Sequence, residues 1–358
     1  MLPYFTQHFG NPNSQHRFGW QAQETIRSAR ELLSSLIGAC CEELYFASGS
    51  TEAINMAIKG VWKKNKADRN HFITVKTEHS AVLKSFEHIQ KLGAEVDYLD
   101  VDPSGLIDLD QLADLIKDST CMICVMMVNN ETGVVQDIES IGHITKSKGI
   151  LFMSDTTQAI GKTFIDVNKL GVDILCVSGH KIYGPAGVGA LYMRKEKSSL
   201  NIEPLIHGGG HESGLRSGSL NVAGIVGLSL AAQRSIENMQ NNNQKYKGFE
   251  ELLMSKKDIK KHICLNSKNA KKVPNTLNIR LKGGLSREFM QKNHTKLAIS
   301  LGSACAAGSQ KGSHVLRAMG LNTSEVNSSL RISFGELTSD KDVQFLAERI
   351  KAFINVKA

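Results

Sequence analysis

Residues 173–194 read DILCVSGHKIYGPAGVGALYMR. The apolar run Ile174 to Val177 gives out at Ser178-Gly179-His180-Lys181. A glycine-proline turn follows, and then a second apolar run, GVGALYMR. Runs of this length bounded by small and polar residues read as strands, so Lys181 is placed just past a strand's carboxyl end. Working outward, the same grammar recurs. ELYFA (43–47) leads into the small turn SGST and the amphipathic stretch EAINMAIKG. HFITV (71–75) ends at Lys76-Thr77-Glu78-His79, before the helical pattern SAVLKSFEHIQKLG. MICVMMV (122–128) ends at Asn129-Asn130-Glu131-Thr132-Gly133, and ILFMS (150–154) ends at Asp155-Thr156-Thr157-Gln158. Strands alternating with helical patterns predict an α/β fold with a mainly parallel sheet. Open sheets of that kind bind ligands in the crevice at their carboxyl ends, which here collects Thr51, His79, Asn130, Asp155, Gln158, Ser178, His180 and Lys181. Singly, each has an ordinary explanation: Thr51 as a helix cap, Asp155 as a turn residue, His79 as a half-buried loop histidine, Lys181 as surface charge.

Composition narrows the function classes. A chain of 358 residues with 41% apolar content can bury a substantial core. The start, MLPYFTQHFGNPNS, lacks the basic and apolar regions of a secretory signal, and no later segment offers roughly 18 to 20 unbroken apolar residues. A cytoplasmic protein that does not enter a membrane is therefore expected. The net charge of +8 comes from scattered lysines such as Lys63, Lys64, Lys256, Lys257, Lys260 and Lys261, without interleaved aromatics. That distribution argues against direct nucleic-acid binding and is compatible with an acidic protein partner. Of seven cysteines, Cys40, Cys41, Cys121, Cys124 and Cys176 fall in or beside helical or strand patterns and are expected to be reduced, packed thiols. Cys121 and Cys124 form a C-x-x-C, but a strand would point them in opposite directions, so no metal is expected.

The crevice set matches the needs of pyridoxal 5'-phosphate, which requires an amine for its aldehyde carbon, an anion at its ring nitrogen, a donor to its phenolic oxygen, a stacking group and a phosphate cradle. Lys181 supplies the amine and Asp155 the anion. Gln158, three residues further on, is near enough to serve the oxygen. Ser50 and Thr51 at a helix start, with Ser178 and His180, suit the phosphate.

The motifs SGSTEAIN, KTEHSAVL, VNNETGVVQDI, SDTTQAIGK and SGHKIYGPAGVGAL resemble, in order and spacing, those of cysteine desulfurases in the class V aminotransferase family; GGGHESGLRSGSLN, ISLGSACAAGSQKGSHVLRAMG and SSLRISFG continue the match. The resemblance implies the aspartate-aminotransferase-like fold (type I). A large seven-stranded domain, residues 1–238, would bind the cofactor, and a small α+β domain, residues 239–358, would carry the catalytic cysteine loop.

By that resemblance Cys305, in the small-residue run GSACAAGS, is the nucleophile that takes sulfur from L-cysteine as a persulfide and leaves L-alanine. Lys181 moves the α-proton. His79 stacks on the ring and assists proton movement, Asn130 contacts cofactor or substrate, and Arg331 clamps the substrate carboxylate. Ser219, where the family usually has threonine, reaches the phosphate in the other subunit of a homodimer. The SGSAC-type spacing is similar to the branch that feeds an iron-sulfur scaffold or other sulfur-acceptor protein and often tRNA thiolation. Departures include Ala186 where lysine is common, Ser213 where arginine is common and Gly312 where proline is common. KGGLSREFMQKNHTKLAIS matches poorly, and family members usually carry about twenty further residues before the position of Met1, near the substrate. Selenocysteine lyase, another class V enzyme, and a weakly active truncated paralogue serving as a binding subunit remain alternatives at this stage.

Overall fold

The computed structural model describes residues 1–195, 200, 202–282, 284–301 and 312–355. Seven strands form one sheet: β1 Leu44–Ala47, β2 His71–Val75, β3 Glu95–Leu99, β4 Thr120–Cys124, β5 Leu151–Asp155, β6 Ile174–Ser178 and β7 Gly189–Met193. Their order is β1-β7-β6-β5-β4-β2-β3. The pairs from β6 across to β3 are parallel, whereas β7 runs antiparallel to both β6 and β1. The exception has a simple cause. A parallel return needs a crossover of a dozen or more residues, and the short stretch 179–188 with its Gly-Pro turn permits only a reversal. Strands β2, β4, β5, β6 and β7 are buried throughout, as expected for a sheet covered on both faces. Helix Ser50–Asn65 contributes Ala53, Ile54, Met56, Ala57, Ile58 and Val61 to the core.

Two compact units result. The first comprises Met1–Leu99, Leu109–Met127 and Asp137–Asn238; the second comprises Asp100–Asp108, Val128–Gln136 and Met239–Ala358. The second holds an antiparallel sheet of β8 Ile263–Leu265, β9 Thr276–Leu281 and β10 Ser329–Ser333 in the order β10-β9-β8. Phe249, Phe289, Phe334 and Phe353 pack its core with helices Met239–Ser255 and Asp340–Asn355.

Two sequence expectations need correction. The apolar run 122–128 is not one strand: β4 stops at Cys124, and Val128 pairs with Val135 in the second unit. Val135 N–H donates to the Lys271 carbonyl and Asn278 Nδ2 to that of Glu131, so this segment takes its backbone partners away from the parallel ladder. Cysteine burial also differs from expectation, since Cys40 is exposed and Cys41 half-buried. Strand β3, which sequence reading passed over, has its Asp97 and Tyr98 only half-buried and so lacks a continuous apolar signature. Among the described residues no helix is long and apolar enough to cross a membrane.

Candidate active site

In the first unit, three strand ends and one helix start supply the polar groups. Lys181 and His180 follow β6 on a single 3-10 turn, Gly179–Lys181, and both are exposed. Ser178, the last residue of β6, is buried and its Oγ lies 2.9 Å from His180 Nδ1. Burial and the Lys181 charge both lower the pKa of His180. Asp155 ends β5 with 5% exposure. Its Oδ1 accepts the Thr157 N–H at 2.9 Å and the Cys176 S–H at 3.3 Å. Burial and the Asp155 charge push the Cys176 thiol well up, so it remains a donor.

His79 caps helix Ser80–Lys91, its Nδ1 accepting the Ala81 N–H at 3.1 Å. The neutral ring therefore carries its proton on Nε2. Just before it stands Glu78, fully buried and missed by sequence reasoning because KTEH reads as a solvated strand end. Glu78 Oε1 accepts the N–H of Met126, while the Met127 N–H donates to the Asp155 carbonyl at 3.0 Å. The carboxylate thus replaces a strand carbonyl where β2 and β4 part. Burial, and then the negative charge of Asp155, raise the Glu78 carboxyl well above the ordinary glutamate range. A Glu78 that tends to hold its proton relieves repulsion between the two buried carboxyl groups.

At the opposite end of this set, helix Ser50–Asn65 begins at Gly49, whose φ is +156°. A Cβ built there would stand 3.5 Å from Ser178 Oγ. Gly189 of β7 approaches so closely that its own Cβ would lie 2.6 Å from Gly49 Cα and 2.4 Å from the Val177 carbonyl oxygen. Absent side chains at both glycines let the helix start, β7 and Ser178 converge. The first-turn amides, the hydroxyls of Ser50, Thr51 and Ser178 and the His180 ring form a donor-rich set. Glu52, the acidic residue of that turn, is held by Arg216 Nε at 2.8 Å. A phosphate fits this donor set, and with Asp155 and Lys181 the residues present fit pyridoxal phosphate. Ser219 is exposed, in the loop after the buried Ser217.

The second unit holds the other group of expected residues. Arg331 lies on edge strand β10, opposite Asn278 of β9. Its Nη1 donates to the Asn130 carbonyl at 3.3 Å and its Nη2 to Ser300 Oγ at 3.2 Å. These two bonds hold the guanidinium beside Asn130. Cys305 lies outside the described residues. Ser313, shortly after it, caps helix His314–Ala318 and donates to the buried Glu131 at 2.6 Å.

Comparison with known proteins identifies the family. The model of the family described as Aminotransferase class-V matches residues 1–346. The cysteine desulfurase IscS of Neisseria meningitidis serogroup C (strain 053442) is 43% identical over 355 residues, covering 99% of this chain and 87% of that protein. This chain belongs to the cysteine desulfurases of the class V aminotransferase family. Among solved structures, a NifS-like protein superimposes with a TM-score of 0.92 at 30% identity, covering 99% of this chain and 94% of that one. SspA, solved in complex with cysteine, gives a TM-score of 0.79 at 34% identity, covering 93% of this chain and 92% of that one. Cysteine desulfurases of this family are pyridoxal-phosphate enzymes, and the α/β fold with a mostly parallel seven-stranded sheet is theirs.

Proposed function

We propose that this desulfurase holds pyridoxal phosphate on Lys181 and moves the sulfur of L-cysteine to Cys305, releasing L-alanine. The observation that carries the proposal is the placement in the first unit of an exposed Lys181 just after β6 and a buried Asp155 at the end of the neighbouring β5. When bound, the cofactor supplies an electron sink that weakens the bonds around the substrate α-carbon.

The chain's own groups do the rest. Asp155 Oδ keeps a proton on the ring nitrogen; Ser50, Thr51, Ser178 and His180 bind the phosphate, and Gln158 donates to the phenolic oxygen. Lys181 Nζ removes the substrate α-proton and returns a proton to the product. His79, protonated on Nε2, stacks on the ring and relays protons. Arg331 grips the substrate carboxylate through two parallel N–H bonds, with Asn130 beside it. The Cys305 thiolate attacks the substrate sulfur; the S–S bond forms as the C–S bond breaks, and its electron pair stays on carbon, where a proton replaces sulfur. The enzyme is left as a persulfide, and a thiol must remove that sulfur to complete the cycle.

In the same reading, residues 1–238 form the large cofactor domain and residues 239–358 the small one, with the segments 100–108 and 128–136 belonging to the second compact unit. The enzyme works as a cytoplasmic homodimer in which Ser219 serves the other subunit's phosphate, and it delivers sulfur to an iron-sulfur scaffold or another acceptor protein.

The test is sulfide and alanine release from L-cysteine with added pyridoxal phosphate and a reducing thiol, for the parent and Cys305→Ala. Both products from the parent, lost in a variant that stays yellow, support the proposal. A yellow parent that makes neither product would overturn it.

A further inference from the structure

Gln158 and Lys162 sit one turn apart on the segment 156–163. The amides of Ala159 and Ile160 reach back to the Thr156 carbonyl, and those of Lys162 and Thr163 to Ala159. Spacing by four on such a turn sets the two side chains side by side, and Lys162 Nζ lies 2.5 Å from Gln158 Oε1. A carboxamide has two ends of nearly equal shape, one accepting and one donating. An amine bonded to the oxygen end donates, so the Gln158 NH2 is turned the other way.

The turn is seated by a close approach. Gly161 has φ +70°, and a Cβ there would lie 2.5 Å from the Cβ of Ser235 on helix Val222–Glu237. Ser235 Oγ in turn donates to the carbonyl of Ile182 at 3.3 Å, the residue after Lys181. One helix position therefore backs both lysine-bearing segments. Burial, and then the Lys181 charge, push the Lys162 ammonium down to about 7, which places the two amines within electrostatic reach of each other.

We infer that Lys162 is a positioning residue that fixes the Gln158 carboxamide with its NH2 toward the cofactor's phenolic oxygen. The inference rests on the reading that Gln158 faces that oxygen. Sequence reasoning quoted SDTTQAIGK but did not single out its final lysine.

The test is a double-mutant cycle on the holoenzyme with Lys162→Met, Gln158→Ala and both together, reading the pH midpoint of the bound cofactor's colour change and the affinity for pyridoxal phosphate. The protonated form is cationic, and a donor at the phenolic oxygen disfavours it, so losing that donor raises the midpoint. Each single variant is expected to raise it by about one pH unit, tenfold in proton affinity, and the double variant to match Gln158→Ala within a few tenths of a unit. Melting curves check folding, and Lys162→Gln carries the same cycle should Lys162→Met unfold. Equal shifts from Lys162→Met in both backgrounds, or no shift, would overturn the inference while leaving the site reading intact. Borohydride reduction of the parent separates the other failure: if the cofactor is not trapped on Lys181, the site reading falls and this inference with it.

Discussion

Replacing Glu78 by glutamine tests the charge state of this buried carboxyl group. Glutamine keeps an oxygen for the Met126 N–H and removes the proton equilibrium. In the parent, burial and Asp155 hold the Glu78 pKa well above its unfolded value. Above that unfolded value the unfolded chain has lost the Glu78 proton while the folded protein retains it. The folded state then binds more protons, so parent stability falls as pH rises and levels off once the folded group ionises. Over that window the parent loses about 1.4 kcal/mol per pH unit relative to Glu78→Gln. Urea unfolding of both proteins at pH 5, 6 and 7, without cofactor, measures the difference. It should widen in favour of the variant as pH rises above the unfolded value, until the folded group ionises. A constant difference would refute the reasoning, since the folded carboxyl would then titrate as the unfolded one does. Glu78→Leu is the control: it strands the Met126 amide and costs about 1–3 kcal/mol with no comparable pH trend.

Gly189→Ala drives a methyl into the Val177 carbonyl and Gly49; it should destabilise by about 1–3 kcal/mol and weaken cofactor binding more than a distant core substitution of equal cost, read by melting and by titration with pyridoxal phosphate. Arg331→Lys keeps the charge but loses the planar fork; KM for L-cysteine should rise about tenfold or more while the cofactor spectrum stays unchanged, and an unchanged KM would remove Arg331 from the substrate. Arg30→Ala strands Glu212, whose side chain is 1% exposed and bonded to Arg30 at 2.6 Å; a loss of about 3–5 kcal/mol is expected, and Glu212→Gln in that background should recover part of it.

Strand ends were readable because composition changes abruptly there: DILCV to SGHK and ILFMS to DTTQ are boundaries between buried and polar chain. Lys181, Asp155, Gln158 and His79 stood out as candidates for that reason, and the family motifs added Arg331 and Cys305 as further candidates. Glu78 and Lys162 were not, because a charged residue at a strand end or turn reads as solvated whether it is or not. Glu78 is buried where β2 and β4 part, and Lys162 meets Gln158 on a turn whose Gly161 lies close to Ser235, both of which only the fold decides.

The amino-acid order by itself determined the α/β class, the mainly parallel sheet and the residue types at its carboxyl edge, since periodicity and turn chemistry are local properties of the chain. Tertiary structure alone decided the reversal of β7, the division of the run 122–128 between two units and the burial of Glu78 beside Asp155. Each of these depends on which backbone partners and charges the fold brings near, and long-range proximity of that kind is not written in any local pattern.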